Sequence, residues 1–418
     1  MAVASIISHN TKQLNDIGAE APRAGYASSR VASIDSARGA AMLFVCLAHF
    51  ANAYHFSSGA DASGIYLVLV GMVASPTFVT VSGLVAGFLA VTRSGSFGQL
   101  RIKLIDRGFF LLLVGHTVLA LSHVFAGAGF VAGFKIGYIT DVVGFAVVLG
   151  PWLVDSVRPK PRLLLAFSVF AVSWVAVFLW HPTGLGGTVK QYLIGIPNLS
   201  DTTRGDFPLL PWFAVYLAGT VIGQRLGGLY LQKEQKAAHL MLARVGGTCL
   251  VLGTAAKLGL HMVRGAAPSL EQTHPLLLFS ISTYQKFPPG PVYLVFFGGA
   301  GLLLVAGILE AGRRGKQPFL LGELRQIGLA SLFIYILQYY VYVVVLHPLR
   351  LPYSPFWPLL FLFTVFLLAR AAALWNSVEG NRFLTVGLGA LLKWSRRRTE
   401  LSLRQPIDLT DASVSSRA

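Results

Sequence analysis

The sequence predicts an all-α, polytopic integral membrane protein of about ten transmembrane helices, and three observations carry that prediction. Of its 418 residues, 54% are hydrophobic and 12% are charged, against roughly a quarter charged in an ordinary soluble domain. Apolar segments of about 20 residues, the length that crosses a bilayer, recur between polar breaks. Basic residues outnumber acidic ones by 34 to 17 and concentrate in alternate loops, as cytoplasmic loops do.

The apolar segments divide the chain into three parts. Residues 1–30 lack the continuous apolar core of a cleavable signal peptide and are predicted to form a flexible cytoplasmic tail. Residues 31–382 form the membrane domain, and 383–418 an interfacial helix followed by a basic cytoplasmic tail. The predicted spans are 39–56, 66–91, 108–125, 137–154, 163–181, 207–224, 240–262, 291–310, 326–347 and 356–375.

The basic residues give an orientation that agrees with ten spans. One set of loops holds most of them, whereas the alternate loops carry mainly single charges such as Lys135, Lys190 and Lys286. Both termini are therefore predicted to be cytoplasmic. Because topology accounts for the basic excess, nucleic acid is not an expected partner, and the bilayer of a bacterial inner membrane is the predicted location. Whether the chain forms a homodimer is left open.

Glycines recur at four-residue spacing within two spans, at Gly83 and Gly87 and at Gly219, Gly223 and Gly227. This spacing is typical of closely packed membrane helices. The alternative is a slot in which a narrow ligand runs along bare backbone.

The signatures of several soluble enzyme classes are missing, since the chain has no GxSxG elbow, HExxH motif, Walker loop or clean GxGxxG. Cys46 and Cys249 both lie in apolar runs, so a disulfide framework or CxxC site is not predicted. Ionisable groups inside the spans are the better candidates, because each is costly in lipid and tends to mark a site.

Arg38 and His49 form the strongest constellation in the spans. Their separation of eleven residues places both side chains on one helix face, roughly 16 Å apart along the axis. A guanidinium can bind phosphates bidentately, and an imidazole can act as a general base or a nucleophile. An acyl-CoA has the matching shape. The alternative is a topology anchor and a packing histidine.

The segment from Arg38 to Met42, followed by His49, resembles the first-helix motif of the transmembrane acyltransferase superfamily, which is related to the acyltransferase-3 family. Later segments resemble its branch that contains heparan-α-glucosaminide N-acetyltransferase, and the resemblance covers roughly residues 31–340. These later segments are Ser75–Phe78 with Ser82 and Gly83, Phe207–Trp212 with Gly219 and Gly223, Phe287–Pro291, and Gly328–Tyr335.

The resemblance implies an acyltransferase that moves an acyl group, usually acetyl, from cytosolic acyl-CoA to a hydroxyl or amine of a glycan or other small polar acceptor across the membrane, without a metal. It implies that His49 is catalytic and that Arg38 supports the CoA side. Two departures are visible. The heparan branch has Asn at the position of His49 and its reacting His further on, which makes His55 a rival. Gln338 stands where a second His is often found.

Other charged residues supply supporting candidates. Arg93, Arg101, Lys103 and Arg107 flank the mouth that Arg38 faces and could bind CoA phosphates, although topology anchors need no ligand. Asp141, at the start of a span, could orient or stabilise a histidine, and a helix-start role explains it nearly as well.

Two further patterns are weaker. His116 and His123 share a helix face, but no carboxylate stands at matching spacing, so a metal site is not predicted. Asp35 precedes Arg38 by three residues, which favours an intrahelical ion pair.

Two alternative functions remain open at this stage. One is the same chemistry with another acyl group, such as succinyl transfer to periplasmic glucans. The other is a proton-coupled transporter that uses His49, Asp141 and Lys257, although no repeated halves are apparent. Direct transfer and an acyl-histidine route are also both open.

Overall fold

The computed structural model describes residues 32–55, 71–195, 207–266, 275–314, 319–349 and 356–390, and within these ranges the chain is helical without a β-strand. The all-α prediction is thus confirmed. The helices are α1 (Ala32–His55), α2 (Ala74–Thr92), α3 (Phe97–Phe110), α4 (His116–Phe125), α5 (Phe130–Phe134), α6 (Ile139–Ser156), α7 (Pro159–Leu179), α8 (Gly184–Leu193), α9 (Leu209–Leu231), α10 (Gln235–Ala266), α11 (Pro275–Ser280), α12 (Pro291–Arg313), α13 (Phe319–Leu329), α14 (Ser331–Tyr340), α15 (His347–Leu349) and α16 (Trp357–Ser377).

Eight helical segments in the described ranges are long and apolar enough to cross a membrane. Two of them contain a π-helical turn, at Leu111–Gly115 between α3 and α4 and at Val341–Leu346 between α14 and α15. Within the described ranges the predicted spans are largely helical, but α1 and α9 are not among the eight. Polar residues interrupt both, for example Asp35 and Arg38 in α1. An integral membrane protein is therefore supported, and the count of ten spans and the cytoplasmic termini stay predictions.

Helices α2 and α9 pack through the glycines that the sequence singled out. A Cβ atom added to Gly83 would lie 2.1 Å from the Tyr216 carbonyl oxygen, and one added to Gly219 would lie 2.5 Å from the Thr80 carbonyl oxygen. Gly87 and Gly223 approach the facing helix equally closely. The close-packing interpretation is confirmed, because these contacts leave no room for a side chain or a ligand.

A buried carboxylate fastens the segment that follows α16. The Asp106 side chain on α3 accepts hydrogen bonds from the backbone N–H groups of Val386 at 3.0 Å and Leu388 at 3.2 Å, and from the Thr385 hydroxyl. Residues 384–387 are not helical and 388–390 are. The rest of the predicted interfacial helix and C-terminal tail lies outside the described residues, as does the predicted N-terminal tail.

The chain direction brings several helix ends together at one end of the bundle. Helix α1 and the α14–α15 segment finish there, whereas α2, α6, α9 and α12 begin there. Contacts across this end include a hydrogen bond of 3.0 Å from the Tyr293 hydroxyl to the Met72 carbonyl oxygen. We call it the His49 end, and Arg38 lies toward the opposite end of α1.

Candidate functional site

A cavity of about 170 Å³ lies at the His49 end. Its wall is built from α1, the start of α2, the residues that lead into α6, the segment before α12, and α14. Aromatic side chains make up much of this wall, and none of the described residues that line it is Asp or Glu. The side chains that matter below are His49, Lys286, Tyr138, Phe207, Phe287 and Tyr339. The cavity can hold an acetyl group and part of an acceptor, but not a CoA nucleotide, since ligand pockets for drug-sized molecules span roughly 300–1,000 Å³.

His49 is fixed in one tautomer by a buried amide. Its Nδ1 lies 3.0 Å from Oε1 of Gln338, while Nε2 of Gln338 donates to the Tyr335 carbonyl oxygen at 3.1 Å. Because the Gln338 amide nitrogen already serves a carbonyl, its oxygen faces His49 and Nδ1 carries the hydrogen. Nε2 of His49 is then the unprotonated nitrogen, and it makes no hydrogen bond within the described part of the chain.

Tyrosine rings hold the imidazole on both sides of this bond. The Tyr342 ring stacks on His49 at a centroid distance of 5.1 Å, and the Tyr339 ring meets it edge-on at 5.6 Å. The Tyr339 hydroxyl lies 2.8 Å from Nε2 of His123. Such packing limits rotation of the ring and keeps its free nitrogen in place for chemistry.

Lys286 reaches the same cavity from a tightly turned segment before α12. The Gln285 side chain donates to the Phe287 and Pro288 carbonyl oxygens at 2.7 and 3.2 Å, and Nε1 of Trp174 donates to the Pro289 carbonyl oxygen at 3.1 Å. Desolvation by burial lowers the pKa of Lys286 from 10.5 to about 8. The segment therefore holds a titratable amine in the wall that His49 shares.

Asp141 pairs with His116 in the described structure. Its Oδ2 lies 3.0 Å from Nδ1 of His116 and accepts a hydrogen bond of 2.9 Å from the Tyr138 N–H, which caps α6. Nε2 of His116 lies 3.3 Å from the Phe134 carbonyl oxygen. The same oxygen thus contacts a histidine and caps the start of α6, and a role of Asp141 in catalysis stays a prediction. His116 does not line the cavity.

The residues expected at the CoA side lie toward the other end of α1 and α2. Nη2 of Arg38 donates to the Ser331 hydroxyl at 2.7 Å, and Nη1 lies 4.0 Å from Asp35, which confirms the expected intrahelical pair. Arg101 pairs with Asp155 and lies over the Trp152 ring.

Three further candidates for CoA binding lie nearby in the chain. Arg93 follows α2, and Lys103 and Arg107 are exposed on α3. Their binding of CoA stays a prediction, as does that of Arg38 and Arg101. His55 ends α1, but its side chain lies outside the described residues.

Sequence reasoning missed three contributors to this site. The sequence comparison marks Gln338 as a departure and not as the partner of His49, although a polar amide in an otherwise apolar span is the signal that could have found it. Lys286 was counted as a single loop charge, and Tyr339 gave no signal in an aromatic-rich span. Among the described residues no cluster of three His, Cys, Asp or Glu side chains could hold a metal ion.

Comparison with known proteins identifies the family. The family model described as heparan-alpha-glucosaminide N-acetyltransferase, catalytic, matches residues 30–258, which is more than half of the chain. The matched range includes His49 and Asp141 and ends before Lys286 and Gln338. A search of curated proteins finds no match. The chain belongs to the heparan-α-glucosaminide N-acetyltransferase catalytic family.

Proposed function

We propose that this membrane protein transfers an acetyl group from acetyl-CoA, supplied at the Arg38 end, to a hydroxyl or amine of a glycan or other small polar acceptor that enters at the His49 end. The observation that carries the proposal is the His49 imidazole, whose Nδ1–H is committed to Gln338 and whose Nε2 is free beside a cavity. Membership of an acetyltransferase family supports the reaction class. A bacterial inner membrane with the Arg38 end in the cytoplasm is the matching location.

In the direct mechanism His49 is the general base. Its Nε2 removes the proton of the acceptor as the acceptor oxygen or nitrogen attacks the thioester carbonyl carbon, the carbon–sulfur bond breaks, and the proton passes to the departing thiolate. In the covalent mechanism Nε2 itself attacks the thioester carbonyl carbon, and the carbon–sulfur bond breaks so that CoA leaves as the thiolate. The acceptor then attacks the acetyl carbon, the carbon–Nε2 bond breaks, and the proton of the acceptor passes through the freed Nε2 to the thiolate. The tautomer imposed by Gln338 serves both routes, because each needs a lone pair on Nε2.

The remaining candidate residues receive supporting roles in this proposal. Arg38 binds the phosphates or the pantetheine arm of the donor, together with the basic residues Arg93, Arg101, Lys103 and Arg107. Asp141 is a positioning residue rather than a catalytic one, since it holds Tyr138 in the cavity wall and contacts His116.

The test is incubation of the purified protein with radiolabelled acetyl-CoA, first alone and then with a pool of glycans and lipids. We expect the wild-type protein to release CoA and transfer label, and His49→Ala to lose at least about 100-fold of that rate, the usual contribution of a general base. Label on the protein without acceptor supports the covalent route.

His55→Ala is the matched control, because His55 is the rival in the family comparison. Loss of transfer in His55→Ala with full activity in His49→Ala would move the catalytic role to His55. Absence of CoA release under every condition would contradict the proposed function itself.

A further inference from the structure

Lys286 is a cation whose described surroundings offer no anion. Its Nζ makes no hydrogen bond or ion pair with the described residues, and its neighbours are the rings of Phe207 and Phe287, whose centroids lie 5.3 and 5.1 Å away. Arginines elsewhere do have carboxylate partners, for example Arg370 with Glu323 at 2.5 Å. An ammonium withdrawn from water without a counter-charge is costly, and ring faces offset only part of that cost.

The cavity around Lys286 has the composition of an anion-selective sugar site. Among the described residues that line it none is a carboxylate, and protonated Lys286 contributes a positive charge to the cavity. The Phe207 and Phe287 rings meet edge-to-face at 4.8 Å and give a fixed apolar corner beside the amine. Flat apolar faces with one convergent charge suit a sugar ring that bears an acidic substituent.

Building on the proposed function, we infer that the acceptor carries an anionic group, a carboxylate or a phosphate, and that Lys286 binds this group while the acceptor's hydroxyl or amine faces His49. The bound anion then supplies the counter-charge that the described residues do not supply. In this arrangement Lys286 determines acceptor specificity.

The phosphates of CoA are the other anions that the reaction brings to the protein. They do not fit here, because a cavity of about 170 Å³ is too small for the nucleotide. The cavity also lies at the end of α1 opposite Arg38, where the donor phosphates are placed by the proposed function. The acceptor is therefore the source of the anion that the geometry favours.

The experiment measures binding without acetyl-CoA. Purified protein in detergent is titrated with methyl β-D-glucuronide, glucose 6-phosphate, the neutral methyl β-D-glucoside, or CoA, and the shift of the thermal unfolding midpoint gives an apparent Kd. The variants are Lys286→Met, which removes the charge, and Lys286→Arg, which keeps it. Lys257→Met is the matched control, since Lys257 lies over the Tyr284 and Phe296 rings outside the cavity.

We expect at least one acidic glycoside to bind wild type about tenfold more tightly than the neutral glucoside, the usual magnitude of one charge-assisted contact. Lys286→Met should abolish this preference, whereas Lys286→Arg and Lys257→Met should retain it. The unliganded Lys286→Met protein should unfold at an equal or higher temperature than wild type, which separates loss of binding from misfolding.

Three results would overturn the inference. They are equal binding of neutral and acidic glycosides or no binding of either, an acid preference that survives in Lys286→Met, and a CoA-dependent shift that Lys286→Met removes. Because the assay contains no acetyl-CoA, its outcome is independent of the acetyl-transfer experiment on His49. Failure of the proposed function and failure of this inference are therefore distinguishable.

Discussion

His49 and His116 each make one hydrogen bond of the same length at Nδ1, but the chemical group that makes the bond differs. His49 and His116 each place Nδ1 3.0 Å from a side-chain oxygen, which belongs to the neutral amide of Gln338 in one case and to the carboxylate of Asp141 in the other. An amide oxygen orients an imidazole without changing the charge of the site. A carboxylate also favours the protonated ring, through a charge-assisted hydrogen bond that a neutral amide cannot make.

The second nitrogen of each ring completes the contrast. Nε2 of His49 has no partner within the described residues, and His49 lines the cavity, whereas Nε2 of His116 lies 3.3 Å from the Phe134 carbonyl oxygen. A histidine with both nitrogens engaged holds the start of α6 in place, and one with a free nitrogen can exchange a proton with a substrate. The hydrogen-bond partners, more than the histidines themselves, distinguish the proposed catalytic histidine from the one in the Asp141 pair.

The largest effect is expected from substitution of Gln338, the residue whose amide distinguishes the His49 site from the His116 site. Gln338→Leu takes away the acceptor for Nδ1–H, so His49 can adopt the wrong tautomer or rotate, and kcat should fall about 10- to 100-fold. The KM for acetyl-CoA should stay near its wild-type value, because the proposed function places the donor phosphates at the Arg38 end. Steady-state kinetics with labelled acetyl-CoA measure both constants.

Rescue distinguishes positioning from packing at this residue. Gln338→His restores an acceptor nitrogen for the Nδ1–H of His49, so it should recover most of the lost kcat. Gln326→Leu is the control, since Gln326 accepts a hydrogen bond of 2.9 Å from Asn376 and does not line the cavity. A change confined to KM, or equal losses in Gln338→Leu and Gln326→Leu, would contradict the role of Gln338.

The second prediction concerns the stability of the His116 pair. Asp141→Ala leaves the Tyr138 N–H and His116 Nδ1 without their acceptor, so the free energy of unfolding should fall by about 2–4 kcal/mol. The kcat per folded molecule should change less than tenfold, because His116 does not line the cavity. Denaturant unfolding in detergent, followed by circular dichroism, and activity normalised to folded protein make the comparison.

Asp155→Ala is the control for the loss in free energy of unfolding, because it removes an exposed ion pair instead of a buried one. Asp155 is about half exposed, with 51% of its side-chain surface accessible, and pairs with Arg101. An exposed pair contributes about 1 kcal/mol or less. If Asp141→Ala lost activity with unchanged stability, Asp141 would belong to the chemistry, as the sequence suggested.

The fold was largely predictable because composition sets it. A bilayer requires apolar helices of a fixed minimum length, so segments such as those that became α2 and α12 are visible in the sequence alone. The π-helical turns at Leu111–Gly115 and Val341–Leu346 were not predicted, because hydropathy carries no information on backbone hydrogen-bond pattern.

The contacts of the candidate site were likewise predictable only in part. The Asp35–Arg38 pair was predictable since helical periodicity places residues three apart side by side. The partner of His49 lies 289 residues further along the chain. Hydropathy does not show which spans pack against each other, so this contact could not be predicted. Asp141 and His116 are 25 residues apart on different helices, so the sequence could suggest that Asp141 orients a histidine but not which histidine it contacts.

The smallest effect is expected from a change of pH. It tests a third difference between the two histidine sites, which is that an amine, that of Lys286, lies beside His49. Burial lowers the pKa of Lys286 to about 8, so the ammonium is present below that pH and is lost as the pH rises through it. The preference for methyl β-D-glucuronide over methyl β-D-glucoside should therefore fall a few-fold between about pH 7 and about pH 9. Among the described residues, the other ionisable side chains that line the cavity are His49, Tyr138, Tyr335 and Tyr339.

Lys286→Arg provides the internal standard for this titration, because a guanidinium stays charged throughout the range. Its preference for the acidic glycoside should be the same at both pH values, while that of wild type declines. A wild-type preference that persists unchanged to about pH 9, or one that declines in parallel in Lys286→Arg, would assign the pH dependence to another group in the wall. The amine beside His49 would then not be the charge that selects the acceptor, and the difference between the two histidine sites would rest on Gln338 and Asp141 alone.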